Sequence, residues 1–227
     1  MTAQLKIDIW SDIACPWCYI GKRRLEEALR RLDAAGSGIT AEIEYHSFEL
    51  SPDTPVDFEG SIVDFLADAK GMPKAQAAQM IAQVSEIAAA EGLDFHQETA
   101  HHTKTLKAHE LLHHAKSHGR QLEMKERLLA AYFVESEHVG HVDDLVRFAA
   151  EVGLDADEAR TALDEGRYAS DVAADIAQAR AYGIQGVPFF VVDEKYGVSG
   201  AQEAAVFVEV LEKAAADRLA GAGVDAG

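Results

Sequence analysis

Residues 9–21 read IWSDIACPWCYIG and contain the only two cysteines of the chain. Before them, residues 6–10 alternate isoleucine with polar or amphipathic neighbours, which is the period of a β-strand. After Cys15 the apolar residues recur with helical spacing to about Asp33. A second strand pattern follows at about residues 40–48. This order of strand, helix and strand predicts the start of a βαβ unit.

The two cysteines, Cys15 and Cys18, form a C-x-x-C motif at the predicted start of the helix. The free N–H groups and the dipole of a helix N-terminus favour an anion. The pKa of Cys15 is therefore expected to fall well below the usual value of about 8.5. Pro16 suits a first turn because it has no N–H to leave unpaired. The spacing predicts Cys15 as the nucleophile and the less exposed Cys18 as the resolving thiol.

Two other interpretations of the pair stay open. A C-x-x-C motif can be half of a zinc site, but zinc normally takes four ligands and the chain has no second cysteine pair. The ten histidines could complete such a set. An inert buried pair is the other interpretation, although the strand-to-helix context fits it poorly. We expect a redox-active dithiol and no bound metal.

The composition excludes several classes of function. The 227 residues are 48% hydrophobic and 26% charged, which allows a buried core. With 21 basic and 39 acidic residues, the formal net charge is -18, so neither nucleic acid nor an anionic membrane is an expected partner. No secretory signal and no apolar run of membrane length is visible. We expect a cytoplasmic protein, in which disulfides are usually transient and catalytic.

The distribution of strand and helix patterns predicts two parts. Residues 60–166 look helical throughout and are divided by proline and glycine into segments of ordinary helix length. Strand patterns return only after residue 187, and neither end of the chain has enough strands for a sheet of its own. We therefore predict an α/β domain made jointly of residues 1–58 and 170–227, with an all-helical insertion domain at residues 59–169.

Two finer expectations concern packing and the end of the chain. The core of the insertion is expected to include four apolar residues, namely Phe58, Phe65, Leu66 and Ile81. A last helix is expected from Glu203 to about Arg218. A small, flexible tail at residues 221–227 is expected to follow it.

A second segment, GVPFF at residues 186–190, supports the redox interpretation. Pro188 stands at the first residue of a predicted strand, where its missing N–H is tolerated, and the Val187–Pro188 bond is a candidate cis peptide. Placed beside the dithiol, this turn would expose the Val187 backbone for pairing with an extended substrate. The alternative is an ordinary start of an edge strand. Pro16 and Trp17 are expected to shape the same surface and to touch substrate.

Asp12 and the histidines are further candidates. Asp12 precedes the motif by three residues and could tune Cys15 or move protons, while a turn or N-cap role is the alternative. Seven histidines fall at residues 96–118, and two pairs have the i, i+4 spacing that can clamp a metal, His109 with His113 and His114 with His118. Since no acidic helper is placed as in H-E-x-x-H, we interpret them as solvated or interface histidines.

The combination of motifs resembles a known family. Residues 9–21 are similar to the active-site segment of DsbA-like thioredoxin-fold oxidoreductases, above all of the FrnE-type dithiol-disulfide isomerases, named from polyketide biosynthesis. Nearly the whole chain takes part in the resemblance. Further similar segments are Thr105 with Ala108-His109, Ala131-Tyr132-Phe133, Gly183-Ile184-Gln185-Gly186-Val187-Pro188 and Ser199-Gly200-Ala201-Gln202.

The resemblance implies a thioredoxin-like fold with an all-helical insertion. It implies that Cys15 attacks a disulfide, that Cys18 resolves the mixed disulfide, and that Val187 and a cis-Pro188 clamp the substrate. The substrates implied are protein or small-molecule disulfides and dithiols. The resemblance also implies that His109 faces the dithiol from the insertion and modulates its pKa.

The chain departs from the family pattern at two points. Many relatives carry asparagine where this chain has Lys104, which leaves the role of that position in doubt. Some relatives carry a further cysteine pair outside the active site. This chain has none, so no internal relay is expected.

A neighbouring branch supplies the main alternative function. The glutathione-dependent hydroxychromene-carboxylate isomerases and kappa-type transferases share the fold, have serine where Cys15 stands, and bind glutathione against the cis-proline. The intact dithiol argues against that activity, and glutathione stays a candidate redox partner rather than a cofactor. A metal-binding or interaction protein is the alternative from another class. A homodimer is compatible with the helical content.

Overall fold

The computed structural model describes residues 2–224 of the chain. The strands in this part are β1 (Ala3–Ser11), β2 (Ile39–Ser47), β3 (Phe189–Val192) and β4 (Tyr196–Ser199). The helices are α1 (Pro16–Ala34), α2 (Ile62–Lys70), α3 (Lys74–Ala90), α4 (Leu106–Ser117), α5 (Gln121–Phe133), α6 (Val142–Glu151), α7 (Ala156–Asp164), α8 (Ala169–Ala181) and α9 (Ala204–Val224). Helices α2 to α8 all lie between β2 and β3, which confirms the predicted mixed α/β, thioredoxin-like fold with a helical insertion.

The strands form one sheet in the order β2-β1-β3-β4. Strand β1 is parallel to β2, with Ile7 opposite Ile43, and antiparallel to β3, with Ile9 opposite Phe190. Strands β3 and β4 are antiparallel neighbours. Parallel neighbours in a sheet need a crossover connection, which α1 supplies. Helix α1 therefore has to begin just beyond the end of β1, where the cysteines stand.

Helices cover both faces of the sheet. On one face Ile7 of β1 shares a core with Leu25 of α1 and Phe207 of α9. On the other face Trp10 packs with Ala179 of α8. Because β1 is covered on both sides, even its polar residue Asp8 is buried. Polar groups on this strand must therefore find partners inside the protein.

The insertion has a core of its own that continues into the motif. Leu128 of α5 and Phe148 of α6 are fully buried in it. The same core includes Ile13, which precedes the cysteines, and Tyr19, which follows them. The insertion therefore packs directly on the turn that carries the dithiol.

The finer expectations need correction. Among the four residues predicted as the insertion core, Ile81 is buried, whereas Phe58, Phe65 and Leu66 are only half-buried because their segment packs mainly on α3 at the rim. Helix α9 continues to Val224, beyond the predicted end near Arg218 and through two glycines that do not themselves favour helix.

The last three residues of the predicted tail, 225–227, lie outside the described residues. The predicted domain boundaries stay a prediction, since α8 packs against both β2 and α4. Among the described helices, none combines the length and the apolar character needed to cross a membrane.

Candidate active site

The cysteines lie where β1 ends and α1 begins. Cys15 is the N-cap residue, with an extended backbone at φ -96° and ψ 112°, and Pro16 stands in the first turn. The Cys18 N–H donates to the Cys15 carbonyl at 3.0 Å. The Cys15 side chain makes no capping hydrogen bond, so negative charge on the dithiol finds free N–H groups and the positive end of the helix dipole close by.

Asp12 holds the turn that precedes the motif. Its Oδ1 accepts from the Ile13 N–H at 2.7 Å, and its Oδ2 accepts from the Leu50 N–H at 2.8 Å. Nε2 of His109, on α4, lies 3.3 Å from the same carboxylate, and both side chains are buried. Burial alone would raise the pKa of Asp12, but the hydrogen bond and charge of His109 outweigh it and lower that pKa. The structure therefore brings Asp12 and His109 together beside the motif.

Both thiols are free and buried, Cys15 to 3% and Cys18 to 2% exposure. The predicted fall in the pKa of Cys15 is not found, because its hydrogen bond to Cys18 and its burial raise that pKa. Burial also opposes ionisation of Cys18, but the hydrogen bond from Cys15 and the charge of Lys125 outweigh it and lower the pKa of Cys18. The helix N-terminus therefore acts on a pair that shares a proton, and not on one thiol alone.

The Val187–Pro188 segment lies against the outer sulfur. The Cys15 S–H can donate to the Val187 carbonyl, with the sulfur and oxygen 3.5 Å apart, or turn to Cys18. The peptide bond between Val187 and Pro188 is cis. Gly21 allows α1 to approach this segment closely, since a Cβ there would lie 3.1 Å from Cγ of Pro188. Contact of these residues with substrate stays a prediction.

The surface next to the motif is partly apolar. Trp17 is 37% exposed, while Pro16 and Val187 are half-buried. Nζ of Lys104, at the position that departs from the family pattern, donates to the Pro52 carbonyl at 2.8 Å and ties down the connector after β2. The exposed indole and the half-buried valine offer a substrate an apolar border beside Cys15.

Sequence reasoning missed Lys125, a fully buried lysine of α5. Its Nζ has no hydrogen-bond partner within residues 2–221, and it lies 5.3 Å from the centre of the Tyr45 ring. Burial lowers the pKa of Lys125, while negative charge on Cys18 and Asp12 acts in the opposite direction. A signal existed in the sequence, because Lys125 interrupts the helical stripe of buried residues formed by Gln121, Met124, Leu128, Leu129 and Tyr132.

Ser11 and Glu49 were also missed. The Ser11 hydroxyl helps to lower the pKa of Cys18, and its Oγ has no hydrogen-bond partner by strict geometry within the described side chains. Oε1 of Glu49 is buried and equally unpaired in that part of the chain. Burial raises the pKa of Glu49, and the charge of Asp12 adds to that rise. Ser11 acts on Cys18 and Glu49 responds to Asp12, but neither residue belongs to a motif of its own.

The histidine-rich segment is solvated only in part. His96, His101 and His118 are exposed, whereas His102 is buried before α4. His109, His113 and His114 are buried because α4 packs against α5, α6, α7 and α8, which corresponds to the interface alternative. Nε2 of His113 lies 3.0 Å from Oδ2 of Asp175, which gives it a structural partner.

Among the described residues, two clusters outside that helix have donors at metal-binding spacing. In the first, Asp8, Glu44 and His46, both ring nitrogens of His46 already face carboxylates. The second cluster has two of its members in the insertion. Ligand atoms of Asp57, His138 and His141 lie within 4.8 Å of one another. However, Nδ1 of His138 accepts from the N–H groups of Gly140 and His141, and its Nε2 lies 3.2 Å from the Val56 carbonyl. The ring nitrogens of His138 are therefore already occupied by backbone groups.

The chain is similar to several known proteins. Residues 6–212 match the DSBA-like thioredoxin domain family. The uncharacterized protein YwbO of Bacillus subtilis (strain 168) is 30% identical over 221 residues, which cover 96% of this chain and 98% of that protein. A probable DsbA oxidoreductase from Streptomyces coelicolor superposes with a TM-score of 0.85 at 39% identity, covering 92% of this chain and 89% of that one.

A more distant structure shares the fold. The cytosolic disulfide reductase DsbM from Pseudomonas aeruginosa, solved with GSH, superposes with a TM-score of 0.61 at 18% identity, covering 92% of this chain and 98% of that one. The family match, residues 6–212, includes both cysteines, the Val187–Pro188 segment and the whole insertion. The chain therefore belongs to the DSBA-like thioredoxin domain family, a family of thiol-disulfide oxidoreductases.

Proposed function

We propose that the protein is a dithiol-disulfide oxidoreductase and isomerase of the FrnE type, with Cys15 as nucleophile and Cys18 as resolving thiol. The observation that carries this proposal is the position of Cys15, at the N-cap of α1 with its sulfur 3.5 Å from the Val187 carbonyl. A sulfur at that place has a helix dipole behind it and a backbone edge beside it. Those are the groups that favour an attacking thiolate and hold an extended substrate.

The exchange starts from the singly ionised dithiol, in which the two sulfurs share one proton and the other proton has been lost to solvent. When that proton rests on Cys18, the Cys15 thiolate attacks one sulfur of a substrate disulfide, bonds to it, and releases the other sulfur as a thiolate. Cys18 then loses its proton and attacks Cys15 Sγ, which breaks the bond to the substrate and closes the Cys15–Cys18 disulfide. Two electrons pass from the dithiol to the substrate. The reverse direction oxidises a substrate dithiol.

The exposed fractions of Cys15 and Cys18 are nearly equal, so exposure does not tell the nucleophile from the resolving thiol. The residues around each sulfur support Cys15 as the nucleophile. Cys15 borders the exposed Trp17 and the half-buried Val187. Cys18 lies further along the helix, and its pKa is lowered by the buried groups Ser11 and Lys125. A substrate arriving from solvent meets the Cys15 side first.

The substrates proposed are protein or small-molecule disulfides. An extended segment lying along Val187 could pair with its backbone as an added strand does. Isomerisation follows when a second thiol of the substrate, rather than Cys18, attacks the mixed disulfide. In this proposal residues 1–58 and 170–227 form the catalytic domain, and the insertion at residues 59–169 encloses the dithiol.

Glutathione is the proposed reducing partner. A structure of the same fold, DsbM, was solved with GSH. One glutathione thiolate would attack the Cys15–Cys18 disulfide, and a second would release glutathione disulfide and restore the dithiol. A cytoplasmic setting is part of this proposal, since the glutathione pool there is strongly reducing.

The test compares Cys18→Ser with its matched control Cys15→Ser. Incubated with glutathione disulfide, Cys18→Ser is expected to gain a glutathione adduct by intact-mass spectrometry and to lose catalytic insulin reduction. Cys15→Ser is expected to gain no adduct. An adduct on Cys15→Ser alone would reverse the roles of the thiols. Glutathione-dependent turnover of a small molecule that survives Cys18→Ser would favour the transferase or isomerase alternative.

A further inference from the structure

We propose that Lys125 is the proton acceptor for Cys18, placed beside the resolving thiol by helix α5 of the insertion. This inference rests on the proposed function, because it assigns a role within the second half of the exchange. It gives the insertion a direct part in the chemistry. The insertion would then do more than cover the dithiol.

The first support is an unexplained buried amine. Lys125 is 0% exposed, and no hydrogen-bond partner for its Nζ exists within the described side chains. Lysine is almost never fully buried unless it is paired, since the burial of its charge is costly. Nearby Lys22 shows the usual solution, because its ammonium lies 2.6 Å from a carboxylate oxygen of Glu126. Within the part of the chain that the structure describes, the amine of Lys125 has no such carboxylate.

The second support is the position of the amine. Helix α5 packs against α1 next to Cys18, since Tyr19 donates a hydrogen bond to Glu126 at 2.7 Å, and Nζ of Lys125 lies 5.3 Å from the centre of the Tyr45 ring of β2. The surrounding charges act on the same amine. Cys18, Asp12 and Cys15 favour its ammonium form, whereas burial and the charge of Lys22 disfavour it. Burial lowers the pKa of Lys125, which makes a neutral amine accessible. A thiolate on Cys18 favours the ammonium and a disulfide does not. The amine is therefore expected to gain a proton when Cys18 loses one.

The two other polar residues that act on Cys18, Asp12 and Ser11, are poorer acceptors. Asp12 already accepts from Ile13 and Leu50 and contacts His109, which together lower its pKa. The Ser11 hydroxyl is not a base at neutral pH. Nζ of Lys125 does not yet form a hydrogen bond with Cys18, but catalytic hydrogen bonds in unliganded enzymes often tighten only when substrate is bound.

In the mixed disulfide, Cys15 Sγ is bonded to a substrate sulfur and Cys18 carries its proton. The neutral amine of Lys125 takes that proton and becomes an ammonium, and the Cys18 thiolate attacks Cys15 Sγ. The bond between Cys15 and the substrate breaks, and the substrate sulfur leaves with the electron pair and is protonated by water. With no thiolate left beside it, the ammonium returns its proton to solvent.

The experiment measures the two half-reactions separately. Reduced protein is mixed with glutathione disulfide, and resolution of the mixed disulfide is followed by acid quench and mass spectrometry across a range of pH. Lys125→Met is expected to slow resolution about a hundredfold near neutral pH, with recovery above about pH 9, where Cys18 ionises unaided. The attack of Cys15, measured in a Cys18→Ser background, is expected to change less than about threefold.

Two further variants separate a proton acceptor from a fixed charge. Lys70→Met removes an equally long side chain from the exposed end of α2, and its resolution rate is expected to match the parent protein. Lys125→Arg keeps a positive charge but cannot accept a proton, so it is expected to be as slow as Lys125→Met. A parent rate in either Lys125 variant, with an unchanged pH profile, would overturn the proposal.

Two outcomes are kept distinct from that result. If Cys18→Ser forms no mixed disulfide, the proposed function itself fails. If Lys125→Met does not fold, carbon-13 NMR of the lysine side chains in the unaltered protein decides the matter. The proposal expects the pKa of the Lys125 amine to be lower in the disulfide form than in the dithiol form. Identical titrations in the two forms would overturn it.

Discussion

Two buried polar clusters lie along β1, and they differ in how completely they are paired. In the paired cluster, formed by Asp8, His46, His113 and Asp175, each His46 ring nitrogen faces a carboxylate, at 2.8 Å from Asp8 and 2.9 Å from Asp175. The second oxygen of Asp175 lies 3.0 Å from His113. The dithiol cluster, formed by Ser11, Glu49, His109 and Lys125, has an unpaired buried atom on every member within the described side chains.

The difference in pairing suggests that the first cluster stabilises the fold and that the second serves the chemistry of the dithiol. A buried polar atom without a partner costs free energy, so a folded chain usually pairs it. The paired cluster follows that rule and joins β1, β2, α4 and α8. The dithiol cluster breaks it around the two reactive sulfurs, where unpaired donors and acceptors can take and give protons. We expect substitutions in the paired cluster to lower stability, and those in the dithiol cluster to change reactivity or to relieve the cost of an unpaired buried group.

The largest effect is expected from Asp175→Ala. The substitution leaves His46 and His113 without their shared carboxylate and the Ser47 N–H without its acceptor, which lies 2.7 Å away. Breaking a buried ionic network in this way should lower the free energy of unfolding by about 3–5 kcal/mol. Urea denaturation measures it. The control is Asp171→Ala, an exposed residue of the same helix, which should change stability by less than about 1 kcal/mol.

The paired cluster should also make the stability of the protein depend on pH, through His46. Burial acts to lower the pKa of His46, but its hydrogen bonds to Asp175 and Asp8 outweigh burial and raise that pKa to about 9 from 6.5. Because the folded value lies above the unfolded one, the stabilisation is complete below pH 6.5 and is lost as pH rises towards 9. The loss is on the order of 2–4 kcal/mol.

Urea denaturation at several pH values checks this expectation against His46→Gln. The variant should lose the slope between neutral and alkaline pH. His96→Gln, at an exposed histidine, should keep it. An identical slope in the unaltered protein and in His46→Gln would show that His46 is not charged in the folded state.

Glu49→Gln should raise the free energy of unfolding, in contrast to Asp175→Ala, because it removes an unpaired buried charge. Burial raises the pKa of Glu49, so its ionised form opposes folding above that pKa. The substitution is expected to increase stability at neutral pH by up to about 1 kcal/mol, and the gain should vanish below about pH 4. Glu42→Gln, at an exposed position of β2, is the control and should be close to neutral. A clear loss of stability in Glu49→Gln would show that this carboxylate has a partner after all.

The smallest effect is expected from Asp12→Asn. After the hydrogen bond to Cys18 and burial, the charge of Asp12 is a further cause of the raised pKa of Cys15. In a Cys18→Ser background, the substitution should speed alkylation of Cys15 by iodoacetamide about threefold near neutral pH. Asp33→Asn, at the exposed far end of α1, should leave the rate unchanged. Slower alkylation would indicate that Asp12 helps to remove the Cys15 proton.

Local patterns predicted much of the fold. The alternation in residues 6–10 and the helical spacing after Cys15 correspond to β1 and α1. A strand pattern after residue 187 corresponds to β3 at Phe189–Val192. Such periodic signals depend only on which side of an element is buried, so they predict the element without knowledge of what packs against it. The residues of the insertion core were mispredicted, because several helices could have supplied it and the pattern does not say which ones meet.

The candidate site was predictable where it is contiguous in the chain. Cys15, Cys18 and Asp12 belong to one segment, and the Val187–Pro188 turn has its own signature. Lys125 belongs to no motif, and because it is far from the cysteines along the chain, the sequence does not indicate that it acts on Cys18. The pKa of Cys15 was mispredicted because a rule about helix N-termini takes no account of the hydrogen bond to Cys18 or of burial.

By itself, the sequence determined the strand–dithiol–helix unit, the helical insertion and the two sulfurs available for exchange, since these follow from periodicity, spacing and residue chemistry. Only the tertiary structure decided which groups surround those sulfurs. It pairs the carboxylates of Asp8 and Asp175 with histidines, and it buries the amine of Lys125, whose charge acts on Cys18, without a hydrogen-bond partner among the described side chains. The physical reason is that the charge state of a buried group depends on what lies around it in space, which adjacency in the chain does not encode.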